Sequence, residues 1–206
     1  MTVLEGEGRV PILYGPQALP TPPYRSVYLS RPDLGGRYPP VAVVHGVDGA
    51  TSSAKSVCRR LARHGYAAVA GEIGDYDTAV AAIEEDWEEW ATGHLAVLGT
   101  GDGMPHAQAL AARHGAALIL LGGAETVDRD ALGPASGPIL ALLAGEAGDV
   151  RTLHEAAGRG QWVRYGDAGP GFHDENSADF RSASAEDAFE RIIAFLDRHL
   201  SSIAAV

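Results

Sequence analysis

Six short apolar runs separated by stretches of helical character constrain this chain most: VAVVHG (41–46), YAAVAG (66–71), LAVLG (95–99), ALILLGG (117–123), ILALLAG (139–145) and WVRYG (162–166). Most are apolar at nearly every position, as strands of a parallel sheet are when helices cover both faces. Helices are expected between them at about 52–64, 78–92, 104–114 and 149–158, with a last one at 184–200. An earlier run, RSVYLSRP (25–32), alternates polar and apolar residues and reads as an antiparallel strand. The pattern predicts an α/β fold with a doubly wound, mostly parallel sheet flanked by helices. In such sheets functional groups gather beyond the C-terminal ends of the strands. The Pro-rich LPTPPY (19–24) precedes the main alternation and reads as a surface connection.

Length and charge narrow the possibilities further. The 206 residues fit one domain, 1–206, with no internal repeat. The net charge is -11 and the 16 Lys and Arg residues are scattered, which argues against nucleic acid and anionic membranes as partners. The single cysteine, Cys58, forms no internal disulfide and sits beside Val57 and Leu61 as a small core residue. The eight histidines show no His-x-x-x-His spacing, so neither a metal nor another cofactor is expected. No apolar run reaches the roughly 18 residues a membrane span requires. The start, MTVLEGEGRVPILYG, shows no basic segment followed by an apolar one, so the expected location is the cytoplasm. In IEEDWEEW (83–90), Ile83, Trp87 and Trp90 fall on one helical face and the carboxylates form a solvated one.

The segment LAVLGTGDGMPHAQALAA (95–112) is the most informative about function. An apolar strand enters a Gly-rich turn and a helix follows, which is the layout of a nucleophile elbow. Yet the centre of the frame Gly99-Thr100-Gly101-Asp102-Gly103 is a glycine, which has no side chain to attack with.

Taken with its flanking segments, the chain resembles the dienelactone hydrolase family of α/β-hydrolase-fold proteins over residues 25 to 200. VYLSRP and PVAVVHGVDG are similar to the opening strand and oxyanion loop, and RRLARHGYAAVAGEI to the next helix–strand pair. LAVLGTGDG takes the place of the elbow, and ILALLAGEAGDV that of the strand carrying the acid. VRYGDAGPGFHDENSADF and SAEDAFERIIAFLDRHL resemble the histidine loop and the final helix. The resemblance implies a cysteine at the elbow, a histidine in His-Gly-Phe, an aspartate that orients it, and a glutamate after the oxyanion-loop histidine. Here the elbow centre is Gly101, the loop reads Pro170-Gly171-Phe172, and Gly46 follows His45. Only Asp149 stands at a matching place, so three of the four reactive side chains are missing. The segment 72–94 is also short, which removes part of the pocket wall that the resemblance implies.

Other residues then become candidates. Asp102 offers its carboxylate to proton transfer, while its backbone N–H and that of Val47 fit the oxyanion donors the resemblance implies. Centring the turn on Asp102 as a nucleophile would put Thr100 and Met104 at the small flanking positions, and capping the following helix is its plain structural role. His173 is a candidate base or a hydrogen-bonded loop residue. Asp149 is a candidate acid or a cap of the helix near 150. His45, Asp48, Asp75, Tyr76 and Pro170 are pocket candidates, although the first reads rather as a hydrogen-bonded structural histidine and the next three rather as turn residues. Three functions remain open: non-hydrolytic chemistry on a small oxygenated metabolite, a non-catalytic binding protein, and a hydrolase of an ester or lactone with a relocated site. A small-molecule substrate is the expected partner, and a homodimer stays open.

Overall fold

The computed structural model describes residues 10–20, 22, 24–46, 50–85, 87, 91 and 93–200. Its centre is one eight-stranded sheet in the order β1-β2-β4-β3-β5-β6-β7-β8. The strands are β1 (Ile12–Ala18), β2 (Ser26–Pro32), β3 (Pro40–Val44), β4 (Ala67–Ala70), β5 (Ala96–Thr100), β6 (Ala117–Gly123), β7 (Ile139–Ala144) and β8 (Gln161–Tyr165). The β1–β2 and β2–β4 pairs are antiparallel, and every pair from β4 to β8 is parallel. The α/β reading therefore describes the molecule, and the six apolar runs each supply one parallel strand.

The helices are α1 (Ser52–Arg63), α2 (Tyr76–Glu85), α3 (Met104–His114), α4 (Ala147–Ala157) and α5 (Ser182–Leu200). Successive side chains of a strand point to opposite faces, so each run feeds two cores. Val41 and Val43 of β3 and Leu140 and Leu142 of β7 pack with α1 and α5. Ala42, Val44, Ala141 and Leu143 pack on the other side with α2, α3 and α4. Burying each of the larger side chains is worth about 1.5–3 kcal/mol, which is why near-continuous apolarity and a central parallel strand go together.

Two expectations need correction. Strand β1 was not expected, because Gly15 and Pro16 interrupt its pattern; both are tolerated at a sheet edge. LPTPPY is thereby the connection of a β1–β2 hairpin, closed by Leu19 N–H donating to Arg25 O at 2.8 Å. Helix α2 ends at Glu85 rather than near 92. Trp87 is not helical, and residues 86, 88–90 and 92 of the expected helix lie outside the described residues. Trp87 is buried beyond the helix, while Trp90 and the side chain of Ile83 lie outside the described residues. Among the described residues no helix is long and apolar enough to cross a membrane.

Candidate functional site

The strand order places the site. From β3 the chain steps to β4 on one side, then crosses back to β5 on the other and continues to β8. The order thus reverses between β3 and β5, the switch point beyond whose strand ends sheets of this kind hold their ligand crevice. His45 and Gly46 leave β3 there, and Thr100 to Gly103 leave β5 there. The His45 ring bridges the crevice, its Nδ1 lying 2.5 Å from the buried Thr100 hydroxyl. His45 is thus a hydrogen-bonded residue at the site, and Thr100 is a member that sequence reasoning passed over. A hydroxyl ending an otherwise apolar strand was its one visible signal.

A single 3-10 turn, Gly101–Gly103, joins β5 to α3. Its glycines have different reasons. A Cβ on Gly99 would stand 2.6 Å from Ala107 Cβ and 3.0 Å from Met104 Cα, so α3 packs directly on the strand end. A Cβ on Gly103 would stand 2.4 Å from Val44 O and 2.6 Å from Gly46 N, against backbone on the neighbouring strand. Gly101 has a left-handed φ of +49°, and a Cβ there would meet none of the described residues within 4 Å. The central position faces open space while its two flanks are closed.

Three loops converge on this turn. Asp102 is exposed, and its Cβ is 3.8 Å from where a Cβ on Gly46 would be. Its N–H belongs to the first helical turn, whose donors have no partner within the helix. A Cβ on Gly122, at the end of β6, would lie 3.4 Å from Gly101 N and 3.6 Å from Pro170 O. Pro170 O and Gly101 N thus both border the Gly122 position. Three residues on, His173 has both ring nitrogens buried and, among the described residues, without hydrogen-bond partners. Burial lowers its pKa to about 4, with Asp174 opposing the shift and nearby His45 adding to it. The imidazole is accordingly neutral near pH 7, with one nitrogen able to accept a proton. Phe172 anchors the loop: it is fully buried, with its ring 4.7 Å from that of Tyr165. Burial pulls the Asp174 carboxyl upward, but hydrogen bonds from Asn176 and Ser53 outweigh it and hold the group below its ordinary value.

The remaining candidates lie elsewhere or have other partners. Tyr76 is buried; its hydroxyl donates to Val43 O and accepts from Gly71 N–H at 3.2 Å, and burial raises its pKa. Asp75 is buried and accepts from Arg25 at 3.3 Å. Both are thereby committed to the β3–β4 side. Asp149 is exposed in the first turn of α4 and accepts no hydrogen bond among the described residues. Val47 and Asp48 lie outside the described residues. Cys58 is fully buried in α1, where burial raises its thiol pKa. Among the described residues no three His, Cys, Asp or Glu side chains gather where they would hold a metal ion.

This sheet order, with an elbow at β5 and a histidine-loop segment after β8, is that of the α/β-hydrolase fold. Solved structures agree. The chain superposes on a protein assigned as a dienelactone hydrolase from Klebsiella pneumoniae subsp. pneumoniae with a TM-score of 0.75 and 21% identity, over 91% of this chain and 99% of that one. It superposes on a dienelactone-hydrolase-like promiscuous phosphotriesterase from metagenomic libraries with a TM-score of 0.72 and 16% identity, over 93% and 100%. No protein-family model matches the sequence, and no curated protein does. The chain therefore has the α/β-hydrolase fold in the form seen in dienelactone-hydrolase-like proteins.

Proposed function

We propose that the crevice at the elbow binds a small oxygenated metabolite and converts it by non-hydrolytic proton transfer, in an isomerisation, cyclisation or lyase reaction. The observation that carries this reading is Gly101. Its left-handed turn persists between two flanks that exclude any side chain, with open space where a nucleophile would stand. Such a turn presents backbone donors to a ligand oxygen without a covalent step.

In this reading the substrate carbonyl faces the N–H of Asp102. A proton leaves the adjacent carbon, electron density moves to the oxygen as an enolate, and the N–H bond to that oxygen strengthens. His173 accepts the proton, since its neutral ring has a free lone pair. Its protonated form is acidic and returns the proton readily to the substrate, at another atom or at the same one. The exposed Asp102 carboxylate serves as the second carrier, exchanging protons with solvent at the mouth.

Mass accounting tests the reading. A panel of enol lactones and hydroxyketones is incubated with the protein in heavy-oxygen water and, separately, in deuterium oxide. The expected result is an isomer or cleavage fragments without incorporated water, with deuterium entering beside the carbonyl. His173→Gln and Asp102→Asn should each slow that exchange by about 10²-fold. A product carrying one added water would instead indicate a relocated hydrolase, and saturable binding without exchange would indicate a binding protein.

A further inference from the structure

A second concavity lies away from the elbow, in the helical layer formed by α1 and α5. It is a groove of about 660 Å3, bounded by Arg60 and His64 of α1, by the 173–182 segment, and by the outer face of α5. That volume is within the range of sites for drug-sized molecules. Its floor is apolar, with Phe180, Ala185, Phe189 and Ile193. Its rim is acidic: Glu175, Glu186, Glu190 and Asp197 oppose the one guanidinium of Arg60.

The positive group of the rim is already engaged with the floor. The Arg60 guanidinium lies 3.9 Å from the centre of the Phe189 ring, and the His64 ring meets the same phenyl edge-on at 5.5 Å. Asp197 accepts from the Tyr66 hydroxyl. By contrast, Glu175, Glu186 and Glu190 take no ion-pair partner among the described residues. The groove also touches His173, whose two buried ring nitrogens have no hydrogen-bond partner. A concave apolar floor, an unneutralised acidic rim and an unsatisfied imidazole are complementary to one kind of occupant.

We infer that this groove is a binding site for a small amphiphilic organic cation, with an aromatic or alkyl body on the Phe180–Phe189 floor and an ammonium group among the α5 carboxylates. The ammonium N–H groups have acceptors in the exposed carboxylates of Glu186 and Glu190. The aromatic floor contributes dispersion contact and, through its ring faces, attraction for the cation. The groove borders His173, which the proposed reaction also uses, but its apolar floor and carboxylate rim do not depend on that reaction.

Phenethylamine is the probe, titrated into the nitrogen-labelled protein and followed by amide chemical shifts, with phenethyl alcohol and hydrocinnamate as neutral and anionic counterparts. Saturable shifts confined to α1, α5 and the 173–182 segment are expected for the amine, with the alcohol weaker and the acid weakest. Ala194 is an exposed position lining the groove, so Ala194→Trp should fill it without disturbing the core and weaken the amine about tenfold or more. The double variant Glu186→Gln/Glu190→Gln, also on the exposed face of α5, should weaken it about fivefold, an effect that shrinks with added salt. Equal binding of hydrocinnamate, an unchanged affinity in a folded Ala194→Trp variant, shifts centred on the elbow, or no saturation at all would each overturn the assignment.

Discussion

Two loops meet at the C-terminal edge of the sheet and are held in opposite ways. The elbow, Gly99 to Gly103, is shaped by backbone contact: strand end, helix start and the neighbouring strand lie too close for side chains at its flanks. The loop after β8 is shaped by side chains. Phe172 plugs into the core, Asp179 accepts from Gly171 N–H at 3.4 Å, and Asp174 gathers the bonds of Asn176. A loop held by backbone contact keeps its form whatever residue stands at its centre. One held by side chains places its own titratable group through their packing, here the His173 imidazole against the Phe172 ring. The elbow here is a shape with donors, and the later loop holds the titratable group.

The contrast is sharpest inside the elbow itself. Gly103→Ala drives a Cβ into backbone atoms of Val44 and Gly46 that have no freedom to yield. It should cost more than about 3 kcal/mol, read as a lowered urea midpoint or as loss of folded protein. If the variant is as stable as the parent, the close packing of α3 on β3 is wrong.

The histidine loop should break with acid instead. His173 titrates at about 4 in the folded protein against 6.5 in the unfolded chain, chiefly because it is buried. Between those values the unfolded chain binds the proton more readily. The stability it contributes is therefore whole above about pH 6.5, is lost as the pH falls, and is gone below about pH 4. The loss amounts to up to about 3 kcal/mol. Urea denaturation across that range should show a steeper decline for the parent than for His173→Gln. Parallel curves would mean that the ring is solvated.

The smallest effect belongs to Gly101→Ala. The added methyl meets open space, so only the left-handed φ of +49° resists it, at about 1 kcal/mol. Measured beside Gly103→Ala in the same denaturation series, it separates steric closure from conformational preference two residues apart. A penalty as large as that of Gly103→Ala would show that the space beside Gly101 is filled.

Much of the architecture was legible beforehand because burial leaves a local trace. A strand covered on both faces must be apolar throughout, so β3 to β7 stood out, and β6 appeared with its observed bounds, Ala117–Gly123. Edge strand β1 left no such trace: Gly15 and Pro16 are allowed there because only β2 pairs with it. The candidate site was legible in part. The Gly-rich turn after β5 pointed to the elbow, but the Thr100 hydroxyl found its partner in His45, which is distant in sequence. The α1–α5 groove was invisible, since its walls come from segments more than a hundred residues apart.

By itself, then, the sequence determined the α/β order, the two-faced core and the absence of a side chain at the centre of the elbow. These follow from hydrophobic periodicity and from residue identity, both of which are local. Tertiary structure alone decided that Gly101 faces open space while Gly99 and Gly103 do not, and that His173 is buried without partners beside an acidic groove. Those properties depend on the distance between atoms far apart along the chain, which only packing sets.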